Sequence, residues 1–415
     1  MSDSNYKRTK YACYIVNVTM SVVANFPPLL FITFHDLYGL SFSMLGTLIF
    51  INFITQLGMD LAFSFYSHKF NIKKVVKLTP VLSAAGLLLF TLAPVFKGYE
   101  YICLLCGTLI FSSSGGLAEV LISPLFAAIP SDDPYRDMSK LHSTYAWGVV
   151  FVIVISTLFF RFFGSVNWQI MSLLWLLIPL AACLLFERAP LPDLTTPEKA
   201  SNVLPVLKDK RFLVCVFCIF FGGATECTMA QWCSSYIEYS LGIPKTVGDI
   251  LGTAFFGLML ACGRTLYAKF GDNIYKVMLI SSSGAVVCYL TASLSPIPAV
   301  GLAACALTGL CAAMLWPGSL IVLSDRFASP DVSMFALMAA GGDFGAAFGT
   351  QFVGTVTDIL AKMPLITSAS AELGITAEQL SLKAGLLFAS FFPLCAMIIF
   401  IFLYKNIKSK KSDVQ

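Results

Sequence analysis

Tyr66–Val75 reads YSHKFNIKKV and Leu266–Val277 reads LYAKFGDNIYKV, and the likeness of these two stretches decides how the chain is built. Lys69-Phe70 matches Lys269-Phe270; after a two-residue insertion, Ile72, Lys74 and Val75 match Ile274, Lys276 and Val277. A second correspondence lies further along each half. Gly115-Gly116 and Pro124 in one copy answer to Gly309 and Pro317 in the other, each followed by a short polar loop and a helix rich in small residues. Two matches in the same order point to an internal duplication. Between the copies runs ERAPLPDLTTPEKASNVLPVLKDK, Glu187–Lys210, Pro-rich and charged as a linker is. The expected organisation is a bundle over 1–187, a linker over 188–210, and a second bundle over 211–415 with a short basic tail.

The composition says where such bundles sit. Of the 415 residues 57% are hydrophobic and 12% charged, with a mean hydropathy of +0.81; a soluble domain carries roughly twice that charge. A span needs about 20 apolar residues, and twelve runs qualify: 11–34, 42–66, 75–96, 101–129, 142–164, 168–187, 211–238, 246–269, 275–295, 297–324, 333–360 and 384–405. The expected fold is an all-α membrane protein of 12 transmembrane helices in two parallel six-helix repeats. Cationic loops stay on the cytoplasmic side. With the N-terminus inside, only Lys97, Arg161, Lys245, Lys362 and Lys383 of the 27 Lys and Arg face outward, so both termini are expected to be cytoplasmic.

The remaining signals are mostly exclusions. A net charge of +4 is too small to suggest nucleic acid, and no basic stripe with interleaved aromatics is present. Most of the thirteen cysteines lie inside apolar runs, where Cys behaves as a small hydrophobe, so free thiols are expected. Cys103 and Cys106 have no His or acid at ligand spacing. The run from Tyr11 to Phe34 is too long for a signal-peptide core and lacks a small-residue cleavage site, which makes it the first span.

Twelve spans, two parallel repeats, a central loop and the basic loop after span 2 resemble the major facilitator superfamily over essentially the whole chain. In that loop His68 stands where the superfamily has an acid and Asn71 where it has a Gly, while the basic cluster Lys69, Lys73 and Lys74 remains. GGLAEVLISPLF followed by LHSTYAWG, and GGATECTMAQWCSSY followed by ACGR, resemble the branch of fucose and other sugar:proton symporters. That resemblance implies a solute symporter whose cavity is lined by spans 1, 4, 7 and 10 and opens by rocking of the halves. Span 1 carries Asn17 and Asn25 where the fucose permeases carry an acid.

A charge within the bilayer costs at least ~2.5–3.5 kcal/mol at a helix centre on insertion scales, so each one retained calls for a reason. Glu226 lies near the middle of span 7 with Gly222, Gly223, Ala230 and Cys233 on its face; Glu119 lies in span 4 with Ser112, Gly116 and Ser123. Both are candidate proton-coupling residues, because partial burial favours a carboxyl that takes up and releases protons near neutral pH. Asp60, His142, Arg264 and Asp343, nearer the cytoplasmic ends of their spans, are gating candidates, with Arg264 facing Asp343 or Asp60 as an inner contact. Asn25, Trp147, Gln231, Trp232, Tyr236 and Trp316 are the substrate-binding candidates, since indoles accept the CH face of a sugar and amides its hydroxyls. Pro27-Pro28, Pro124 and Pro317 free backbone groups that are tolerated against protein or water. GGDFGAAFG in span 11 reads as close helix packing.

The expected activity is secondary transport of a small polar solute, a sugar or sugar-like compound, by proton symport with alternating access. A proton antiporter exporting amphipathic compounds is the alternative; a polytopic membrane enzyme or receptor is a third class, for which no metal cluster, nucleophile with a base or phosphate loop is visible. No cofactor is expected. The partners are a small-molecule substrate, protons and the lipid bilayer, with a monomer in the cell membrane, a bacterial inner membrane, as the setting.

Overall fold

The computed structural model describes residues 6–66, 69–130, 134–192, 204–270, 273–327 and 332–412. Among these residues there are helices and no strands. Ten helical segments are long and apolar enough to cross a membrane, from Lys7–Tyr38 to Ala377–Lys405, and Trp147–Phe163 is a shorter apolar helix. His68 lies outside the described residues.

The chain forms two compact units, Met1–Leu40 with Ile51–Ser201, and Ser41–Phe50 with Asn202–Gln415. The division falls at Ser201, inside the expected linker, and assigns the ten residues 41–50 to the second unit. The first unit holds α1 (Lys7–Asn25), α2 (Phe31–Tyr38), most of α3 (Phe42–Tyr66), α4 (Ile72–Thr91), α5 (Glu100–Ala127), α6 (Pro134–Phe163) and α7 (Trp168–Glu187). Its core joins Cys13 and Val16 of α1 to Leu117, Leu121 and Phe126 of α5 and Phe186 of α7. Helices α4 and α5 touch through glycines: a Cβ on Gly86 would lie 2.5 Å from Phe111 N, and one on Gly107 2.7 Å from Phe90 N. Larger residues would push these backbones apart.

The second unit holds α8 (Leu204–Leu207), α9 (Lys210–Ser235), α10 (Lys245–Val247), α11 (Phe255–Phe270), α12 (Ile274–Leu294), α13 (Pro298–Ala312), α14 (Leu315–Arg326), α15 (Val332–Ala361), α16 (Pro364–Glu372), α17 (Ala377–Ala389) and α18 (Phe391–Ser412). Asp209 caps α9, accepting from Arg211 N, and hydrogen bonding to Arg211 holds its carboxyl below the usual range. The core is Phe212, Cys218 and Ile219 of α9 with Met278 of α12, Leu315 and Leu323 of α14, and Phe400 of α18. The glycines of α15 pack as expected. Gly345 meets the backbone of Phe220, and Gly349 lies against Ala224 and the Thr228 hydroxyl.

The two sequence copies that open this article share one local device. Asn71 precedes α4 with φ −77° and ψ 99°, and its side chain accepts from Lys74 N at 3.2 Å. Asn273 precedes α12 with φ −97° and ψ 103°, and accepts from Lys276 N, also at 3.2 Å. Each amide satisfies an N–H that a helix start leaves without a partner. The duplicated pattern is therefore a duplicated cap.

The cysteines are free, as expected. Cys288 and Cys311 bring their sulfurs to 3.9 Å between α12 and α13.

Candidate functional site

Two clusters of polar groups stand inside the apolar helices, one in each unit. In the first unit Asn52, Gln56 and Asp60 recur every fourth residue along α3, a spacing that places them on one helix face. They meet Ser112, Gly115, Gly116 and Glu119 of α5. Ser112 Oγ donates to Asn52 Oδ1 at 2.6 Å. A Cβ on Gly116 would lie 2.8 Å from Gln56 O, and one on Gly115 3.3 Å from Gln56 Cδ, so the glycines admit the amide. One turn on, Asp60 and Glu119 are close enough for their charges to act on one another. Glu119 is exposed and Asp60 half-buried. Asp60 Oδ1 and Asn52 Nδ2 are buried without a hydrogen-bond partner. Asp60, expected as a gating residue, thus joins the proton-coupling candidate Glu119 instead.

Elsewhere in this unit α1 is tied to α6. Asn17 Nδ2 donates to Leu141 O at 2.9 Å, and Ser21 Oγ to Tyr145 O at 2.8 Å. Asn25 turns its amide back to Ser21 O at 2.9 Å. Trp147 is 72% exposed. The side chain of His142, on α6, lies outside the described residues.

The second cluster is built around Glu226 on α9 and Arg264 on α11. Arg264 Nη2 lies 3.2 Å from Glu226 Oε1, with side-chain exposures of 47% and 14%. Its Nε donates to Ala313 O at 3.2 Å. That acceptor is available because of the sequence. In a continuous helix Ala313 O would receive the N–H of residue 317, and residue 317 is proline. The break between α13 and α14 therefore supplies the carbonyl that orients the guanidinium. Around the Cys227 thiol the charges of Glu226, Asp343 and Arg264 come within reach of one another. The expected pairing of Arg264 with Asp343 or Asp60 gives way to an ion pair with Glu226.

Trp316 sits one turn beyond Ala313. Its ring edge packs where side chains are absent: a Cβ on Gly342 would lie 2.5 Å from Cη2, and one on Gly223 2.9 Å from Cζ3. The indole is half-buried. Gln231 is 7% exposed, and its Oε1 has no hydrogen-bond partner.

Trp232 and Tyr236, expected to touch substrate, are enclosed in the packed interior. Trp232 Nε1 donates to Thr350 O at 2.9 Å, and Tyr236 OH to Ala292 O at 2.5 Å. Aromatic residues with a polar tip are often buried in this way, the ring in the core and the donor on a carbonyl. Asn52 and Gln56 were missed as site residues, although their fourfold spacing with Asp60 is visible in the sequence.

The comparisons with known proteins follow this geometry. The family model described as Major Facilitator Superfamily matches residues 12–350. No curated protein matches by sequence. Among solved structures, a bacterial homolog of the human lysosomal transporter Spinster, inward-facing and occupied, is 12% identical, with 98% of each chain covered and a TM-score of 0.73. The D-xylose-proton symporter is 14% identical over 93% of this chain and 96% of that one, with a TM-score of 0.69. The E. coli fucose:proton symporter is 13% identical over 96% and 99%, with a TM-score of 0.60. At these identities the likeness is one of fold. With the family model spanning most of its length and apolar helices throughout, the chain belongs to the major facilitator superfamily of integral membrane transporters.

Proposed function

We propose that this transporter moves a small polar solute, sugar-like in its hydroxyls, by proton symport with alternating access, from 12 spans in two six-helix bundles with both termini cytoplasmic. The bundles are 1–187 and 211–415, joined by the linker 188–210, and the protein works as a monomer in a bacterial inner membrane. The observation that carries the reading is the placement of carboxyls within spanning helices: Glu226 against Arg264 and Glu119 beside Asp60. Acids kept at such cost are the ordinary means of proton relay in carriers. Glu226 and Glu119 carry the coupling proton, and Asp60 shares the second site. Asp343 and His142 retain a gating role at the inner ends of their helices. Trp316, Asn25, Trp147 and Gln231 contact the solute, while Trp232 and Tyr236 hold the helices that present them. A symporter for a sugar and one for a sugar derivative both fit this arrangement, as do the proton symporters whose fold the chain shares.

The test is uptake into proteoliposomes under an inward proton gradient. Gln at the coupling position keeps the shape and hydrogen bonding of the protonated acid and cannot release a proton. Glu226→Gln or Glu119→Gln should abolish accumulation while exchange of labelled for unlabelled solute survives. Accumulation that persists in both variants rejects proton coupling through these residues, and export under the same gradient favours the antiporter.

A further inference from the structure

Glu226 cannot take up a proton without consequence, because its carboxylate is the partner of Arg264. Protonation removes the countercharge. The guanidinium stays charged, since Arg does not lose its proton in proteins, and a cation within a spanning helix then lacks the partner that offsets its desolvation. A neutral solute brings nothing to replace the carboxylate. An anionic solute does.

We propose that the transported solute is a hydroxylated monocarboxylate, of the hexonate or hexuronate class, whose carboxylate takes the place of Glu226 on Arg264 as the proton goes to Glu226. This rests on the reading of Glu226 as the proton carrier. The exchange balances. One proton and one monoanion enter together, so the cluster has the same net charge loaded and empty, and a carboxylate occupies the guanidinium in both states.

Three features of the site support the anion. Arg264 is the accessible member of the pair, 47% exposed against 14% for Glu226, so an arriving ligand meets the cation. The guanidinium is oriented before ligand binds. Its Nε is held on Ala313 O at 3.2 Å and its Nη2 is directed to a carboxylate, which presents a fork matched to a planar acid. Finally, the half-buried indole of Trp316 adjoins both anchors: it lies three residues from Ala313, and it packs on Gly223, three residues from Glu226. An indole face next to a guanidinium suits a ligand with a CH face next to a carboxylate. The charged and titratable groups around Glu226 are Arg264 from α11, Asp343 from α15 and Cys227 on α9 itself. Asp343 is only 8% exposed, which leaves Glu226 as the acid of the pair that solute can displace.

The experiment uses the full chain in proteoliposomes and in detergent, with D-gluconate and D-glucuronate as acids and D-glucose as the uncharged control. The acids should raise the melting temperature and glucose should not. Arg264→Lys and Arg264→Gln should weaken acid binding about tenfold or more, the loss expected when a charge-assisted, forked contact is removed. The Lys variant retains the charge and guards against misfolding. Glu226→Gln should bind the acids more tightly than the parent protein at pH 8, because its amide no longer competes for the guanidinium. In liposomes an inward pH gradient should drive accumulation of the acids, and a potassium diffusion potential alone should not, since the loaded cycle moves no net charge. Glucose bound or accumulated as well as the acids, with Arg264→Gln unaffected, overturns the anion proposal while leaving proton symport intact. Acids that bind through Arg264 but follow the potential and ignore the pH gradient overturn the exchange and the coupling reading together. Binding of neither acid overturns the proposal as well.

Discussion

Asp358 on α15 reaches the start of α3, and removing it has a calculable cost. The first N–H groups of a helix have no partner within it. In α3 three of them are satisfied from outside: Phe42 N donates to Asp358 Oδ1 at 3.0 Å, Ser43 N to Asp358 Oδ2 at 2.7 Å, and Met44 N to Ser41 Oγ at 3.3 Å. Gln351 adds a donor to Ser43 O at 3.3 Å. The fit is close enough that Gly354 lies directly against Phe42 O, and the Phe42 ring meets Trp232 and Tyr239 at 6.1 and 5.7 Å between centroids. A helix cap contributes about 0.5–2 kcal/mol, and a carboxylate at a helix N-terminus about 0.3–1 kcal/mol more. Asp358→Ala should therefore cost about 2 kcal/mol. Asp358→Asn keeps one acceptor oxygen and should cost about half of that. For a unit of this size 2 kcal/mol corresponds to a melting shift of roughly 4–8 °C. The assay is a ligand-free melt in detergent followed with a thiol-reactive dye, for which the buried free cysteines report unfolding. The order should be parent, Asn, Ala from most to least stable. An Ala variant that melts with the parent, or an Asn variant below Ala, refutes the capping argument.

Three further substitutions have distinct outcomes. Trp232→Phe leaves Thr350 O without its donor in a fully enclosed site and should destabilise by about 2 kcal/mol, measured by the same melt, with solute affinity little changed; a large loss of affinity at unchanged stability would return Trp232 to the binding surface. Pro317→Ala restores an N–H that competes with Arg264 Nε for Ala313 O, so stability should hold or rise by up to about 1 kcal/mol while uptake falls; unaltered uptake would separate the helix break from Arg264. Asn71→Ala and Asn273→Ala should each cost about 1 kcal/mol and lower the melt by similar amounts; strongly unequal shifts would deny the caps a common role.

The sequence carried the spans well because a bilayer demands long apolar runs, and such runs leave little room for another reading. It also carried the glycines of α15, whose spacing on one face foretells close approach to α9. Pairings between helices were another matter. Arg264 was expected to face Asp343 or Asp60, and it pairs with Glu226. Its register is set by the turn before α11, where Gly248–Ala254 is π-helical. A π turn inserts an extra residue and rotates everything after it. Counting 3.6 residues per turn from the outer end of that span therefore points Arg264 in the wrong direction. Trp232 and Tyr236 escaped for a related reason. Composition shows an aromatic residue with a donor, but whether the donor meets substrate or a backbone carbonyl depends on which carbonyl the neighbouring helix brings opposite.

Pro317 shows how a local rule acquires a function only through its neighbours. From sequence it is a missing N–H and a kink, and the carbonyl four residues earlier is left with capacity to accept. Water, a solute hydroxyl or a side chain could all use it. The structure gives it to Arg264 Nε, from a different helix. That contact takes one edge of the guanidinium, leaving the Nη groups for Glu226 and for whatever displaces it. A lysine at 264 could reach neither partner with the same geometry, since its ammonium lacks the planar fork. The proline, the carbonyl, the arginine and the acid thus form a single arrangement spread over α9, α11 and the break between α13 and α14. A change at any one of them should be felt at the carboxylate of Glu226, where the proton and the solute are set in competition.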